Sequence, residues 1–182
     1  MATSGDISRA EAPGPLAARA VEQTVWRIDP ARSTVSFAVP AFWGLTTVKG
    51  RFDRYDGTLD LRRTPAIELT IDADSINTNN ARRDKHLRSD DFFGVQAHPH
   101  VRFVSDTATL EGDRLTVTGE LRAGGGKEPL HLVATLRHVG PELHIEATAE
   151  VDQRRLGMTF SLMGMVGAPA KLAVRGRLVV SE

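Results

Sequence analysis

Hydrophobic and polar residues alternate along most of the chain beyond residue 24. In residues 67–74, for example, Ile67, Leu69, Ile71 and Ala73 alternate with polar residues. This period of two places every second side chain on one face of a β-strand, and that face can turn toward a core. The pattern recurs in residues 35–39, 48–52, 101–108, 115–121, 130–136, 143–151 and 172–180, with a shorter piece after a predicted hairpin turn at Asp56-Gly57. The chain is therefore predicted to form about eight strands.

About eight strands with one apolar face form either a two-sheet sandwich or an up-and-down barrel. We favour the barrel because closure removes the sheet edges, and because eight strands come near the size that holds one small ligand. Small residues on the predicted inward face would leave volume for a cavity; they are Gly50, Ala73, Gly119, Ala134, Ala147, Ala149 and Gly176. The predicted fold is thus an all-β, eight-stranded antiparallel up-and-down barrel.

Two segments interrupt the strand pattern. Residues 79–91 are rich in arginine, lysine and aspartate and predict a short helical insert, which is followed by two phenylalanines. Residues 153–168 combine glycine with methionine and apolar residues and predict an irregular insert. Segments of this kind between strands are candidates for the mouth of a binding cavity.

The composition narrows the function classes. The 182 residues suit one domain, and lysine plus arginine equals aspartate plus glutamate at 23 each, so no overall charge attracts nucleic acid. There is no cysteine, no Gly-x-Ser-x-Gly and no His-Glu-x-x-His motif. The paired histidines His98 and His100 lack a convincing third ligand. We therefore expect no catalytic residues, no metal site and no cofactor.

The first residues of the chain differ from the rest. Residues 1–23 mix alanine, proline, glycine and charge without periodicity, which predicts a disordered tail before a single domain over 24–182. Their longest apolar patch, PLAARAV, is interrupted by Arg19 and is too short for a signal sequence or a membrane span. We expect a cytoplasmic protein without an integral membrane span.

The segment from residue 75 to 103, SINTNNARRDKHLRSDDFFGVQAHPHVRF, resembles the YceI-like family of polyprenyl-lipid-binding proteins. Members carry a similar Ser-Ile-x-Thr, Arg-Asp-x-His-Leu-Arg, Asp-Phe-Phe and Pro-x-x-x-Phe string. The stretches WRIDPARSTVSFAV and VKGRFDRYDGTL resemble the family too, so that the resemblance covers roughly residues 24–180. It implies a lipocalin-like barrel with an apolar tunnel and an isoprenoid lipid as its ligand. Some members of the family are exported.

The inward positions of the predicted strands supply candidate cavity walls: Phe37, Val39, Phe52, Leu69, Ile71, Phe103, Val117, Leu132, Ala134, Ile145, Ala147 and Val174. Candidate residues at the mouth come from the inserts and from one apolar turn: Phe42, Trp43, Arg82, Lys85, Arg88, Phe93, Met158, Phe160 and Met163.

Each group of mouth residues has two interpretations. The cations could contact a lipid headgroup or could only fix the insert to the barrel. Phe42 and Trp43 could admit a prenyl chain or contact a lipid surface or a partner subunit. The methionine-rich segment could form a gate or could plug one end of the barrel. Family members often have a histidine in the turn that holds Trp43, whereas this chain has none between Val39 and Val48.

The leading hypothesis is a non-enzymatic protein that binds, stores or transports a long-chain isoprenoid lipid, such as a polyprenyl phosphate or an isoprenoid quinone, in an internal apolar cavity. One alternative is an enzyme acting on a hydrophobic small molecule inside the barrel. Another is a protein-interaction module with a solid barrel. The expected partner is the lipid rather than nucleic acid, and the apolar loop residues make a homodimer plausible.

Overall fold

The computed structural model describes residues 15–41, 45–158 and 169–181. Two α-helices, α1 (Pro15–Gln23) and α2 (Ala81–Arg88), accompany eleven strands. The strands are β1 (Trp26–Ile28), β2 (Thr34–Ala41), β3 (Thr46–Phe52), β4 (Tyr55–Leu59), β5 (Ile67–Asp72), β6 (Ile76–Asn77), β7 (His100–Glu111), β8 (Arg114–Ala123), β9 (Gly126–Val139), β10 (Glu142–Val151) and β11 (Ala170–Val180). Neither helix of this described part is long and apolar enough to cross a bilayer.

The strands close into an antiparallel barrel. The sheet runs β1-β4-β5-β7-β8-β9-β10-β11, and β1 pairs with β11 to complete the ring. Beyond β11 the sheet continues through β2, β3 and β6. Three pairs of strands are each the two halves of one bent strand: β1 with β2, β3 with β4, and β5 with β6. Counted in this way, the barrel has eight strands in chain order, as predicted.

The helical insert lies where the barrel wall divides. β5 pairs with β7 as far as Asp72 opposite His100, whereas β6 pairs instead with β3. α2 lies in the connection between β6 and β7, which confirms the predicted helix within residues 79–91. The second predicted insert is described only as far as a turn over residues 153–158; residues 159–168 lie outside the described part.

One end of the barrel, which we call the closed end, is solidly packed. It contains the N-terminal ends of β8 and β10, where Leu115, Val117 and Leu143 are completely buried. α1 packs at this end: Val21 is buried, and its carbonyl accepts a hydrogen bond from the Trp26 indole at 3.4 Å. Residues 15–23 therefore form a helix, anchored by Val21 in the core, where the sequence predicts a disordered tail.

The predicted hairpin turn at Asp56-Gly57 is wrong. Both residues lie within β4, where Gly57 pairs with Leu69. A side chain at Gly57 would place its Cβ 3.1 Å from Leu69 Cδ1, so the glycine makes room for a neighbouring side chain rather than for a turn. The chain turns later, between Leu59 and Ile67.

The idea that inward glycines leave empty space is also wrong. A Cβ would lie 2.7 Å from Phe37 Cε1 at Gly50 and 2.7 Å from Ile145 Cγ2 at Gly176. At Gly119 it would lie 2.7 Å from Phe103 Cζ. Larger cross-strand neighbours therefore fill the space above these glycines, which is a common way of packing a barrel wall.

Candidate functional site

A cavity of about 710 Å³ opens at the end of the barrel opposite the closed end and extends inward as far as Ile28, Leu59 and Leu178. We call this the open end. Its wall includes the strand termini nearest α2, namely Val39, Val48, Val101, Ala123, Val151 and Ala170. Deeper wall residues are predominantly aliphatic or aromatic, so the chamber is apolar and can solvate a hydrocarbon chain.

Most of the predicted wall residues line this cavity: Phe37, Val39, Phe52, Leu69, Ile71, Phe103, Leu132, Ala134, Ile145, Ala147 and Val174. Their contact with a ligand stays a prediction. Val117 does not line the cavity, because it lies in the packed closed end with no exposed surface. The same alternation could have found further wall residues, such as Leu121, Leu130, Ala149 and Leu172.

Aromatic side chains join the insert to the barrel wall. The ring centroids of Phe37 and Phe52 are 5.6 Å apart, and Phe93 meets Phe52 edge-on at 5.8 Å. Such edge contacts are favourable beyond the area that they bury. Phe92 and Phe93 both line the cavity although they are consecutive, because they follow α2 in a turn rather than a strand.

α2 is held at its N-terminus by a small polar network. The Asn80 side chain caps the helix by accepting a hydrogen bond from the Arg83 N–H at 3.0 Å. The buried Asp84 carboxylate accepts hydrogen bonds from both the N–H and the hydroxyl of Thr78, at 2.9 and 2.5 Å. Arg83 donates to the Thr78 hydroxyl at 2.8 Å and to its carbonyl at 2.9 Å. Arg83 and Asp84 are thus both hydrogen-bonded to Thr78, the residue that follows β6.

The three cations predicted to meet a headgroup take different positions. Arg88 does not line the cavity; it donates to the Asp74 carbonyl at 2.8 Å and to the Ile76 carbonyl at 2.9 Å. These backbone contacts tie it to the barrel. Lys85 is exposed and does not line the cavity either. Arg82 does line it, and within the described ranges no carboxylate lies within 4.0 Å of its guanidinium.

Three further polar residues, none of them predicted, line the cavity on α2 and at its N-terminal cap: Asn80, Arg83 and His86. His86 lies 3.2 Å from an Asp91 oxygen, and its ring meets Phe92 edge-on at 5.2 Å. The RRDKH part of the motif carried the signal for two of these residues, but sequence alone could not separate those facing the cavity from those facing the wall.

The turn over residues 153–158 forms another part of the rim. Gln153, Leu156 and the predicted Met158 line the cavity there. The Arg154 guanidinium hydrogen-bonds the Asp152 carboxylate at 2.9 and 2.8 Å and lowers the pKa of that carboxyl. The predicted mouth residues Phe42, Trp43, Phe160 and Met163 lie outside the described residues.

A closed eight-stranded antiparallel barrel with an apolar chamber at one end has the architecture of a lipocalin-like barrel. The chain belongs to the family defined by the YceI-like domain, whose model matches residues 26–178. This match confirms the resemblance found in the sequence.

Relatives and solved structures agree with this assignment. Protein YceI of Escherichia coli O157:H7 is 38% identical over 97 residues, which are 51% of this chain and 51% of that protein. The chain thus matches about half the length of these curated relatives. BcnA of Burkholderia cenocepacia superposes with a TM-score of 0.69 at 18% identity, over 85% of this chain and 99% of that one.

A polyisoprenoid-binding domain from Saccharophagus degradans, implicated in plant cell wall breakdown, superposes with a TM-score of 0.69 at 13% identity, over 87% of this chain and 100% of that domain. At such identities the two superpositions establish the fold alone.

Proposed function

We propose that this protein binds a long-chain isoprenoid lipid, a polyprenyl phosphate or an isoprenoid quinone, and stores or carries it. The observation that carries the proposal is the apolar chamber of about 710 Å³ with Asn80, Arg82, Arg83, His86 and Gln153 at its opening. A prenyl tail fits the chamber, because burying each CH₂ contributes about 0.8 kcal/mol before the cost of ordering the chain. The polar end of such a lipid would meet α2.

The similarity to known proteins supports the ligand class. The chain shares its family with Protein YceI and its fold with a polyisoprenoid-binding domain. The hollow interior argues against an interaction module with a solid barrel. For the enzymatic alternative we find little support, since Glu68, an acidic residue beside the cavity, pairs with the exposed Arg102 at 2.8 Å on the outer wall.

The cavity volume limits the length of tail that it can enclose. An isoprene unit occupies roughly 120 Å³ at the packing density of a protein interior. The volume of 710 Å³ therefore accommodates about six units. Affinity for a prenyl series should rise steeply up to about this length and change little beyond it.

Two measurements test the proposal directly. Titration with prenyl alcohols of increasing length should reproduce the rise and the plateau. Native mass spectrometry of protein purified from its own host, followed by organic extraction, should recover a prenyl lipid. Equal affinity for one and for eight units would contradict an enclosed tail.

Of the three cations predicted to contact the headgroup, Arg82 is the one that lines the cavity. Replacing Arg82 with alanine should weaken a prenyl phosphate by about 1–3 kcal/mol, because a charge-assisted hydrogen bond is lost. A quinone with the same tail should bind almost unchanged. Titrating both lipids against the variant measures the difference.

Arg88→Ala and Lys85→Ala are the matched controls. Arg88→Ala should lower thermal stability and weaken both lipids together, since Arg88 holds the insert to β6. Lys85→Ala should change neither lipid much, because Lys85 lies outside the cavity wall. Equal losses for both lipids in Arg82→Ala would reassign Arg82 to the framework.

A further inference from the structure

We propose that the open end of the barrel docks onto an anionic lipid bilayer through a ring of cations around the cavity. This inference rests on the proposed function, because it gives a membrane lipid a direct route into the chamber. The ring consists of exposed residues on four elements: Arg82 and Lys85 on α2, Arg155 in the 153–158 turn, Lys171 on β11 and Lys49 on β3.

The two cations of α2 lie on one side of that helix. Arg82 and Lys85 are three residues apart, a spacing that places side chains on the same face. Arg82 lines the cavity, so this face borders the opening. Asp84 lies on the opposite side from Arg82 and binds Thr78, whereas Arg88, three residues beyond Lys85, binds the carbonyls near β6.

The remaining cations continue around the rim. Arg155 lies in the turn whose neighbours Leu156 and Met158 line the cavity. Lys171 and Lys49 lie in one row across the sheet, because both are in register with Ala38 of β2. Lys171 directly follows Ala170, which is itself part of the cavity wall at the open end.

The ring carries an excess of positive charge although the whole chain is neutral. Within the described ranges, none of its five cations has a carboxylate within 4.0 Å. Among the acids near the opening, Asp152 is paired with Arg154, whereas Asp91 contacts only His86, which balances its charge only when protonated. Asp90, Glu150 and the buried Glu128 have no such pair, and Glu150 lies opposite Lys171 in the sheet, so that five cations face four acids when Asp91 is included.

A bilayer fits this surface better than an acidic protein does. The cations surround an opening into hydrocarbon-like space, and Leu45, in the turn before β3, is 84% exposed. An anionic membrane presents negative charge at its surface and hydrocarbon directly below. Each basic residue brought to such a surface strengthens binding by roughly fivefold, within a Debye length of about 8 Å at physiological salt.

Sedimentation of the full chain with vesicles tests the docking. The vesicles are phosphatidylcholine alone or phosphatidylcholine with about one third phosphatidylglycerol, and neither contains a prenyl lipid. The wild type should bind the anionic vesicles, bind the neutral ones weakly, and dissociate as salt is raised. The combined change Lys85→Glu, Arg155→Glu and Lys171→Glu should reduce binding at least about tenfold.

A control of identical charge lies at the closed end. Arg63→Glu, Arg114→Glu and Arg137→Glu together alter the net charge equally, and all three arginines are exposed. This variant should keep most of the vesicle binding. Equal loss in the two triple variants would overturn the proposal, because net charge rather than the ring would then control binding.

Titration with a detergent-dispersed prenyl phosphate separates docking from ligand binding. Arg82 is left unchanged in the ring variant, so the variant should bind the dispersed lipid like the wild type. A wild type that binds dispersed lipid but no anionic vesicle overturns the docking and leaves the proposed function standing. Vesicle binding without prenyl binding supports the docking and contradicts the proposed function.

Discussion

The two ends of the barrel are built from the same strands but are packed differently. Along β10, the inward side chains run from Leu143, completely buried at the closed end, through Ile145 to Ala147 and Ala149 on the cavity wall. The alternation of apolar and polar residues is the same throughout. Along β10, the solid and hollow parts therefore differ in the size of the inward side chains and not in the strand pattern.

Truncation at the closed end should have the largest effect. Leu143→Ala removes a side chain with no exposed surface and leaves a void among packed neighbours, so the free energy of unfolding should fall by about 2–5 kcal/mol. Leu132→Ala, on the cavity wall, should cost only about 1 kcal/mol, because space is already open beside it. Urea unfolding measures both. Similar losses would mean that the two ends are equally packed.

Filling the cavity should remove binding while sparing the fold. Ala147 pairs with Ala134 and Val174, and all three line the cavity. Ala147→Phe should therefore weaken a prenyl lipid by at least about 30-fold, roughly 2 kcal/mol, with little change in the melting temperature of the ligand-free protein.

The control for that variant adds one methyl group to a filled position of the wall. Gly119→Ala would bring a Cβ within 2.8 Å of Ser105 Cα and should destabilise the fold by about 1–3 kcal/mol. If Ala147→Phe were as destabilising as this control in ligand-free protein, the open end would be a packed core.

Loosening α2 should act on the open end alone. Asp84→Ala leaves the Thr78 N–H without its acceptor, and local stability should fall by about 1–3 kcal/mol. Hydrogen exchange should speed up over residues 78–88 and hardly change in β8 and β10. Asp91→Ala, at an exposed site, should have little effect. Unchanged exchange over residues 78–88 would show that the Asp84–Thr78 contact does not hold the helix.

The smallest effect concerns Glu128, which pairs with Leu121 near the open end. Its carboxylate is buried, and the Oε2 atom has no hydrogen-bond partner within the described residues. Glu128→Leu should raise stability by about 1 kcal/mol, since an uncompensated polar group is removed from the interior. Glu120→Leu, on the outer face of β8, should change stability by less than about 0.5 kcal/mol. A lower melting temperature in Glu128→Leu would show that this carboxylate supports the fold.

Much of the barrel could be predicted because a period of two survives wherever one strand face is buried. The bends between β1 and β2, or β3 and β4, could not, because they are defined by a change of pairing partner that the sequence pattern does not show. The sequence also could not place Val117 in the solid part of the barrel. Val117 and its register partner Leu132 follow the same alternating pattern, although only Leu132 lines the cavity.

The candidate site was less predictable than its walls. Arg82, Lys85 and Arg88 occupy one short helix, and their sequence context is much alike. Their roles differ only because their partners lie elsewhere in the chain. Arg88, for example, donates hydrogen bonds to the carbonyls of Asp74 and Ile76. Such contacts depend on how the helix is placed against β6, which no local pattern encodes.

The closure of the barrel has a consequence for how the chain acquires its structure. The final seam joins Trp26 to Val180 and Ala38 to Lys171, residues that are separated by nearly the whole sequence. Hairpins such as β8–β9 form from neighbouring residues, whereas this seam carries the entropy cost of a very long loop and therefore forms late. During synthesis one edge of β2 stays unpaired until β11 has left the ribosome. The chain is most prone to misassociation in that interval.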